Sequence, residues 1–252
     1  MWDFSFTGRV FDIDGKKLKV LEQLTEFLDF KLGQRRVLTR VINMESNLQS
    51  LLKIRYQLNP EDFDCDDSAE AELAEELAEE HYCHEVQLTA ILGERGLGPE
   101  YYHHETQFQE EWLPFPGGYI DFLGMQIPPG ENVDDVQDEL TDRQLESIRT
   151  QLAHILETMR QNGYKLVQQH AGYLNYEAQT NKLYLVDLDC LGFSDPDSST
   201  SFPIDEESPY VEAFNIWRAP YSKPEQDPKP AIPPPNQPTK IESAPTENVN
   251  CS

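Results

Sequence analysis

Basic residues are scarce in this chain of 252 residues: 20 Lys and Arg stand against 46 Asp and Glu, a formal net charge of −26. A field of that sign repels phosphate backbones and anionic bilayer surfaces, so nucleic acid and membrane surfaces are not expected partners. Long apolar runs are also missing, and none could cross a bilayer as a helix. The opening Met1-Trp2-Asp3-Phe4-Ser5-Phe6 has neither a basic stretch nor a continuous apolar one, the two parts a secretory signal needs. An intracellular protein, cytoplasmic or nuclear, is expected. Cysteine is sparse: Cys65, Cys83, Cys190 and Cys251 lie far apart with no C-x-x-C pair, which makes a poor disulfide framework and predicts reduced thiols. His81, Cys83, His84, His103 and His104 match no zinc-ligand spacing, so no metal centre is expected there.

What is present divides into a domain over 1–219 and a tail over 220–252. From Pro220 onward Pro, Lys, Glu, Asn and Ser dominate, with Pro233-Pro234-Pro235 in the middle; such a composition cannot bury enough apolar surface to offset its ordering entropy, which predicts disorder.

Within the domain, the clearest helix follows Thr141. Thr141 and Gln144 have capping-box spacing, Leu145, Ile148, Leu152, Ile155, Leu156 and Met159 recur on one face, and Gly163 supplies a stop. Tyr173–Tyr176 and Leu183–Leu188, separated by a polar stretch, read as a hairpin. Gln49–Gln57 reads as a strand with Lys53 and Arg55 on one face and Leu52, Ile54 and Tyr56 on the other. The segment from Glu61 to Glu80 contains no Lys or Arg; it predicts a loop and then a helix, capped by Asp67 with Glu70 and running to about Leu92 before Gly93.

Nearer the amino terminus, Phe4–Ile13 and Lys17–Leu21 read as strands around an Asp14-Gly15 turn, and Leu24–Leu32 as a short helix. Tyr101, Tyr102, Trp112, Phe115 and Tyr119 form an aromatic-rich stretch expected in a core between two lobes. Tyr210–Trp217 offers a last helical apolar face.

The order of these pieces resembles protein kinases, and most of all the small, divergent kinase-like proteins common in fungi, over roughly Leu51 to Phe193. A strand with a central lysine, an acidic helix, Gly98-Pro99-Glu100-Tyr101-Tyr102, Gly117-Gly118-Tyr119-Ile120-Asp121-Phe122-Leu123-Gly124-Met125, a long capped helix and a hairpin ending in Leu185-Val186-Asp187-Leu188 carry it. The resemblance implies an α+β, protein-kinase-like fold: a small antiparallel-sheet N-lobe over about 1–124, a hinge over about 125–130, and a reduced, mainly helical C-lobe over about 131–219. By the same resemblance Lys53 is the lysine that contacts nucleotide phosphates, Glu85 its helix partner, Met125 and Ile127 part of the adenine-contacting hinge, and Asp187 the aspartate that holds magnesium.

The sequence departs from that family at the catalytic loop. Counting back from Asp187 puts Gln168 or Gln169 where the catalytic aspartate belongs, with Tyr173 or Leu174 at the metal-binding asparagine; a shifted register offers Asn175 as the asparagine and His170 as the base. Neither register supplies the aspartate, and a glutamine amide cannot accept a hydroxyl proton near neutral pH. No glycine-rich phosphate loop is found, and the carboxyl half is short. These departures imply a pseudokinase-like protein that works by binding another protein, a basic one given its own charge, with no or residual nucleotide binding. The alternative is an atypical phosphotransferase acting on a small molecule or protein, with ATP and Mg as cofactors, His170 as base, Asp187 on the metal and Lys53 on the phosphates.

Overall fold

The strand carrying Lys53 lies in the interior of an antiparallel sheet, and the elements before and after it are arranged to cover both of its faces. The computed structural model describes residues 2–63, 68–188 and 191–216. The Asp67 cap, Cys65, Asp189, Cys190, Cys251 and the tail from Pro220 lie outside the described residues. Chain order begins with β1 (Val10–Ile13), β2 (Lys16–Asp29), β3 (Gln34–Asn43), β4 (Gln49–Gln57), helix α1 (Ser68–Glu94), β5 (Tyr101–Phe108) and β6 (Tyr119–Met125). These strands form one six-stranded antiparallel sheet in the order β1-β2-β3-β4-β6-β5.

Asp14 and Gly15 turn β1 into β2 with φ of 50° and 69°, the left-handed pair that a tight hairpin requires. The helix expected over Leu24–Leu32 is instead the second half of β2. Leu24 and Leu28 have helical spacing, but Thr25 and Phe27 favour an extended chain, and register irregularities between Val20 and Glu22 and between Gln23 and Thr25 break the strict alternation that would have marked a strand. The strand expected from Phe4 is shorter: only Val10–Ile13 pairs as β1, while Phe4 and Phe6 pack as side chains.

The two faces of the sheet differ in chemistry. One carries Val37, Val41, Leu52, Ile54, Tyr56, Ile120 and Phe122, which form a core with Phe6, Phe11, Ile13 and Leu113. Trp112 belongs here, its ring 6.1 Å from Phe4 and 5.9 Å from Phe11, so it seals the outer face of the sheet and does not sit between lobes. The sheet curls over this core until its two edges meet: the Asp14 amide donates to Glu105 of β5 at 2.6 Å, and the Gln107 side chain of β5 donates to the Asp12 carbonyl at 2.7 Å. The opposite face carries Leu51, Lys53, Arg55, Asp121, Leu123 and Met125 and is covered by α1 through Tyr82 and Val86.

The chain continues with β7 (Glu131–Asn132), α2 (Val133–Val136), α3 (Asp142–Gln161), β8 (Tyr164–Leu166), a 3₁₀ turn at Ala171–Tyr173, β9 (Leu174–Glu177), β10 (Lys182–Leu185), β11 (Leu191–Phe193) and α4 (Pro209–Glu212). Strands β10, β9 and β7 form one small sheet, and β11 pairs with β8. Helix α3 has the reciprocal capping box of Thr141 and Gln144, and Gly163 follows it at φ 85°. Its apolar stripe joins Leu88 and Leu92 of α1, Val133, Leu174, Leu183 and Leu185 in a second core. Among the described residues α3 is the one long helix of this half; short strands and loops make up much of the rest. The apolar face expected over Tyr210–Trp217 begins as α4 and continues without helix, burying Phe214 and Ile216 in the same core.

Candidate functional site

Strand β4 places Lys53 between Leu38 of β3 and Leu123 of β6. Its side chain is 6% exposed, which rules out a solvated lysine on an edge strand. The Nζ lies 2.6 Å from Glu85 Oε1 on α1 and 3.4 Å from Asp187 Oδ1, just past β10. Residues far apart in the chain thus converge on one ammonium group, and Glu85, only 2% exposed, is positioned by the helix turn that also buries Tyr82 and Val86. The Tyr82 hydroxyl donates to the Phe122 carbonyl at 2.7 Å and pins that turn to the sheet.

Arg55, two residues along the same face, also bonds Glu85 through its guanidinium. The sequence signal for this partner is the second cation on the lysine's own strand face. Arg55 stands opposite Asp121 in the ladder. Burial pushes the Asp121 carboxyl up to about 6, against a 2.7 Å hydrogen bond from the Thr106 hydroxyl and the charge of Arg55, both of which lower it. A row of alternating charges therefore runs from the half-buried Asp187 through the buried Lys53, Glu85 and Arg55 to Asp121.

Beside this row is a cavity of about 20 Å³ lined by Thr25, Leu38, Lys53, Met125, Leu185 and Asp187, among others. It has room for about one water; pockets that hold small organic ligands run to roughly 300–1,000 Å³. Met125 is buried at its wall, whereas Ile127 is 38% exposed and outside the lining. The amide of Gln126 between them donates to the Glu100 carbonyl at 2.8 Å.

The β2–β3 turn spans residues 30–33. It contains a single glycine, Gly33, at φ 55°. The amides of Lys31 and Leu32 are directed at the carboxylate of Asp29, at 3.2 and 3.3 Å. Asp29 therefore occupies the amide donors of the turn.

The loop from Val167 to Tyr173 connects β8 to β9. Gln168 and His170 are both exposed on it. His170 Nδ1 accepts the Gly172 amide at 2.9 Å; in the neutral ring this puts the proton on Nε2, and neither nitrogen is left with a lone pair for a substrate hydroxyl. Gln169 donates to the Leu166 carbonyl at 2.9 Å. The Tyr173 carbonyl accepts the Val186 amide at 2.8 Å, which brings this loop alongside Asp187. Asn175 lies in the ladder opposite Tyr184.

The histidines grouped by sequence do not converge. His84 contacts the Tyr164 hydroxyl at 3.1 Å, His104 the Tyr101 hydroxyl at 2.6 Å, and His103 is buried against Gly124.

No protein-family model matches the chain, and no curated protein matches its sequence. Solved structures similar to it include vaccinia related kinase 3, at 14% identity and a TM-score of 0.43, covering 75% of this chain and 53% of that one. They also include the granulovirus kinase of Cydia pomonella, at 12% identity and a TM-score of 0.43, covering 70% and 52%. The chain spans about half the length of these kinases. No helix of the described residues is long and apolar enough to cross a membrane.

Proposed function

We propose that this chain is a kinase-fold protein in which phosphoryl transfer has given way to protein binding. The observation that carries the reading is the one-water cavity beside Lys53, where the protein's own carboxylates, Glu85 and Asp187, already neutralise the lysine. Phosphoryl transfer needs a cation on the phosphates, a bridging metal and a residue that orients the nucleophile. Here the lysine and the aspartate are present and face each other, while the base position falls to Gln168, which cannot take a proton, or to His170, whose Nδ1 is engaged by Gly172. Asp29 on the β2–β3 turn competes with any phosphate at that end for the Lys31 and Leu32 amide donors. The kinase-like assignment itself is supported by strand order, by the Lys53–Glu85 pair between sheet and helix, and by the β8–β11 and β9–β10 pairs that bracket the loop and Asp187.

A second reading, an atypical Mg-dependent phosphotransferase, draws on the 3.4 Å approach of Lys53 to Asp187, since a magnesium nucleotide inserted there would meet both groups. Thermal denaturation with ATP, with and without magnesium, separates the two. A ligand that binds the folded state must raise the melting temperature. The binding-protein reading expects no rise at millimolar ATP. A rise of several degrees, together with transfer of labelled γ-phosphate that Asp187→Ala abolishes, would establish the enzyme.

A further inference from the structure

Helix α1 is 27 residues long, about 40 Å, and only its carboxyl half is covered on the side that faces the second core. There Leu88 and Leu92 are buried, and His84 packs against Phe193 at 4.5 Å and Tyr164 at 5.7 Å between ring centroids. Spacings of four, seven and four residues carry the same side of the helix back from Leu88 through His84 to Leu77 and Leu73. Those two leucines are 39% and 55% exposed. A stripe that is core at one end is thus bare at the other, and Phe193, itself 41% exposed, borders the junction.

The charged side chains that α1 places beside the bare leucines are all acidic. Glu70 and Glu76 lie three residues either side of Leu73, Glu80 lies three beyond Leu77, and α1 contains no Lys or Arg. A second copy of this chain, at a net charge of −26, would meet that rim with repulsion.

We propose that the amino-terminal half of α1, centred on Leu73 and Leu77, is the docking surface for a basic amphipathic helix of another protein. Apolar residues of the partner at i and i+4 would cover the two leucines, and its Lys or Arg side chains would meet Glu70, Glu76 and Glu80. This rests on the protein-binding reading and names its surface and the partner's chemistry.

The test uses the full chain and a fluorescein-labelled synthetic helix of four turns, with leucines at i and i+4 flanked by lysines, followed by anisotropy at physiological salt. A peptide of the same composition in scrambled order reports binding by charge alone. Saturable binding of the patterned peptide, weakened about tenfold or more by Leu73→Ser with Leu77→Ser and separately by Glu70→Lys with Glu76→Lys, is expected. Melting temperatures within a degree of the parent would show that both variants fold. Absence of binding, equal binding of the scrambled peptide, or equal binding by the folded variants would overturn the proposal. None of these outcomes bears on nucleotide turnover, and turnover would overturn the inactive-site reading without touching this surface.

Discussion

Glu85 answers two buried cations at once, and this asymmetry sets what each substitution should do. Replacing it by glutamine takes from both buried cations their shared carboxylate and leaves Lys53 with the half-buried Asp187, and breaking a buried pair in this way costs about 3–5 kcal/mol. Lys53→Met leaves Glu85 with Arg55 and takes the ammonium from Asp187, which at 30% exposed remains accessible to water; the cost should be smaller than that of Glu85→Gln, because no charge is left buried without a counter-charge. Urea unfolding of the two variants checks the ranking, and a Lys53→Met variant as unstable as Glu85→Gln would contradict it. Asp121 supplies a pH dependence. Its carboxyl is raised from 3.8 to about 6, chiefly by burial, so the folded state binds that proton more tightly than the unfolded chain does. The resulting stability is fully present below pH 3.8 and is lost as pH rises through about 6. Asp121→Asn keeps an acceptor for Thr106 and removes the titration. It should be more stable than the parent by about 3 kcal/mol at neutral pH, with the advantage shrinking as pH falls below about 6 and gone below pH 3.8. A pH-independent difference in urea midpoints would assign the cause elsewhere.

Strands β1 and β5 are the two edges of the sheet, joined by side chains and not by a backbone ladder. An unpaired edge is a template for other chains, and Glu105 and Gln107 cover it by bonding Asp14 and Asp12. Removing one such neutral hydrogen bond costs about 1 kcal/mol. Gln107→Ala should therefore speed amide exchange in Val10–Ile13 while leaving Leu51–Tyr56, in the middle of the sheet, protected. Mass-detected hydrogen exchange reads both segments in one experiment, and unchanged exchange in β1 would mean that the curl is held by the aromatic core alone. The same contacts explain why this part was hard to read in advance. Bulges scramble the alternation of β2, and in β3 Val37, Thr39 and Val41 alternate with Arg36, Leu38 and Arg40, of which Leu38 blurs the polar side of the pattern. Closure depends on pairs 91 and 95 positions apart, which no local window contains.

Elements whose signal is local were legible: β4 matches its predicted bounds at both ends, α3 starts at its capping box, and β9 and β10 pair as the expected hairpin. Lys53, Glu85 and Asp187 were legible because each sits at a fixed place in such an element. Arg55 as a rival for Glu85, Asp29 over the turn amides and the size of the cavity were not, since all three depend on how side chains fill space across elements. The final consequence belongs to α1, whose middle turn is anchored to the sheet by Tyr82 and Val86 while Leu88 and Leu92, one to three turns on, help form the other core. A helix with a foot in each core cannot melt with one and stay with the other. Residues 2–216 should accordingly unfold in one cooperative step, with equal calorimetric and van't Hoff enthalpies, and two resolved heat-absorption peaks would show that the halves come apart independently.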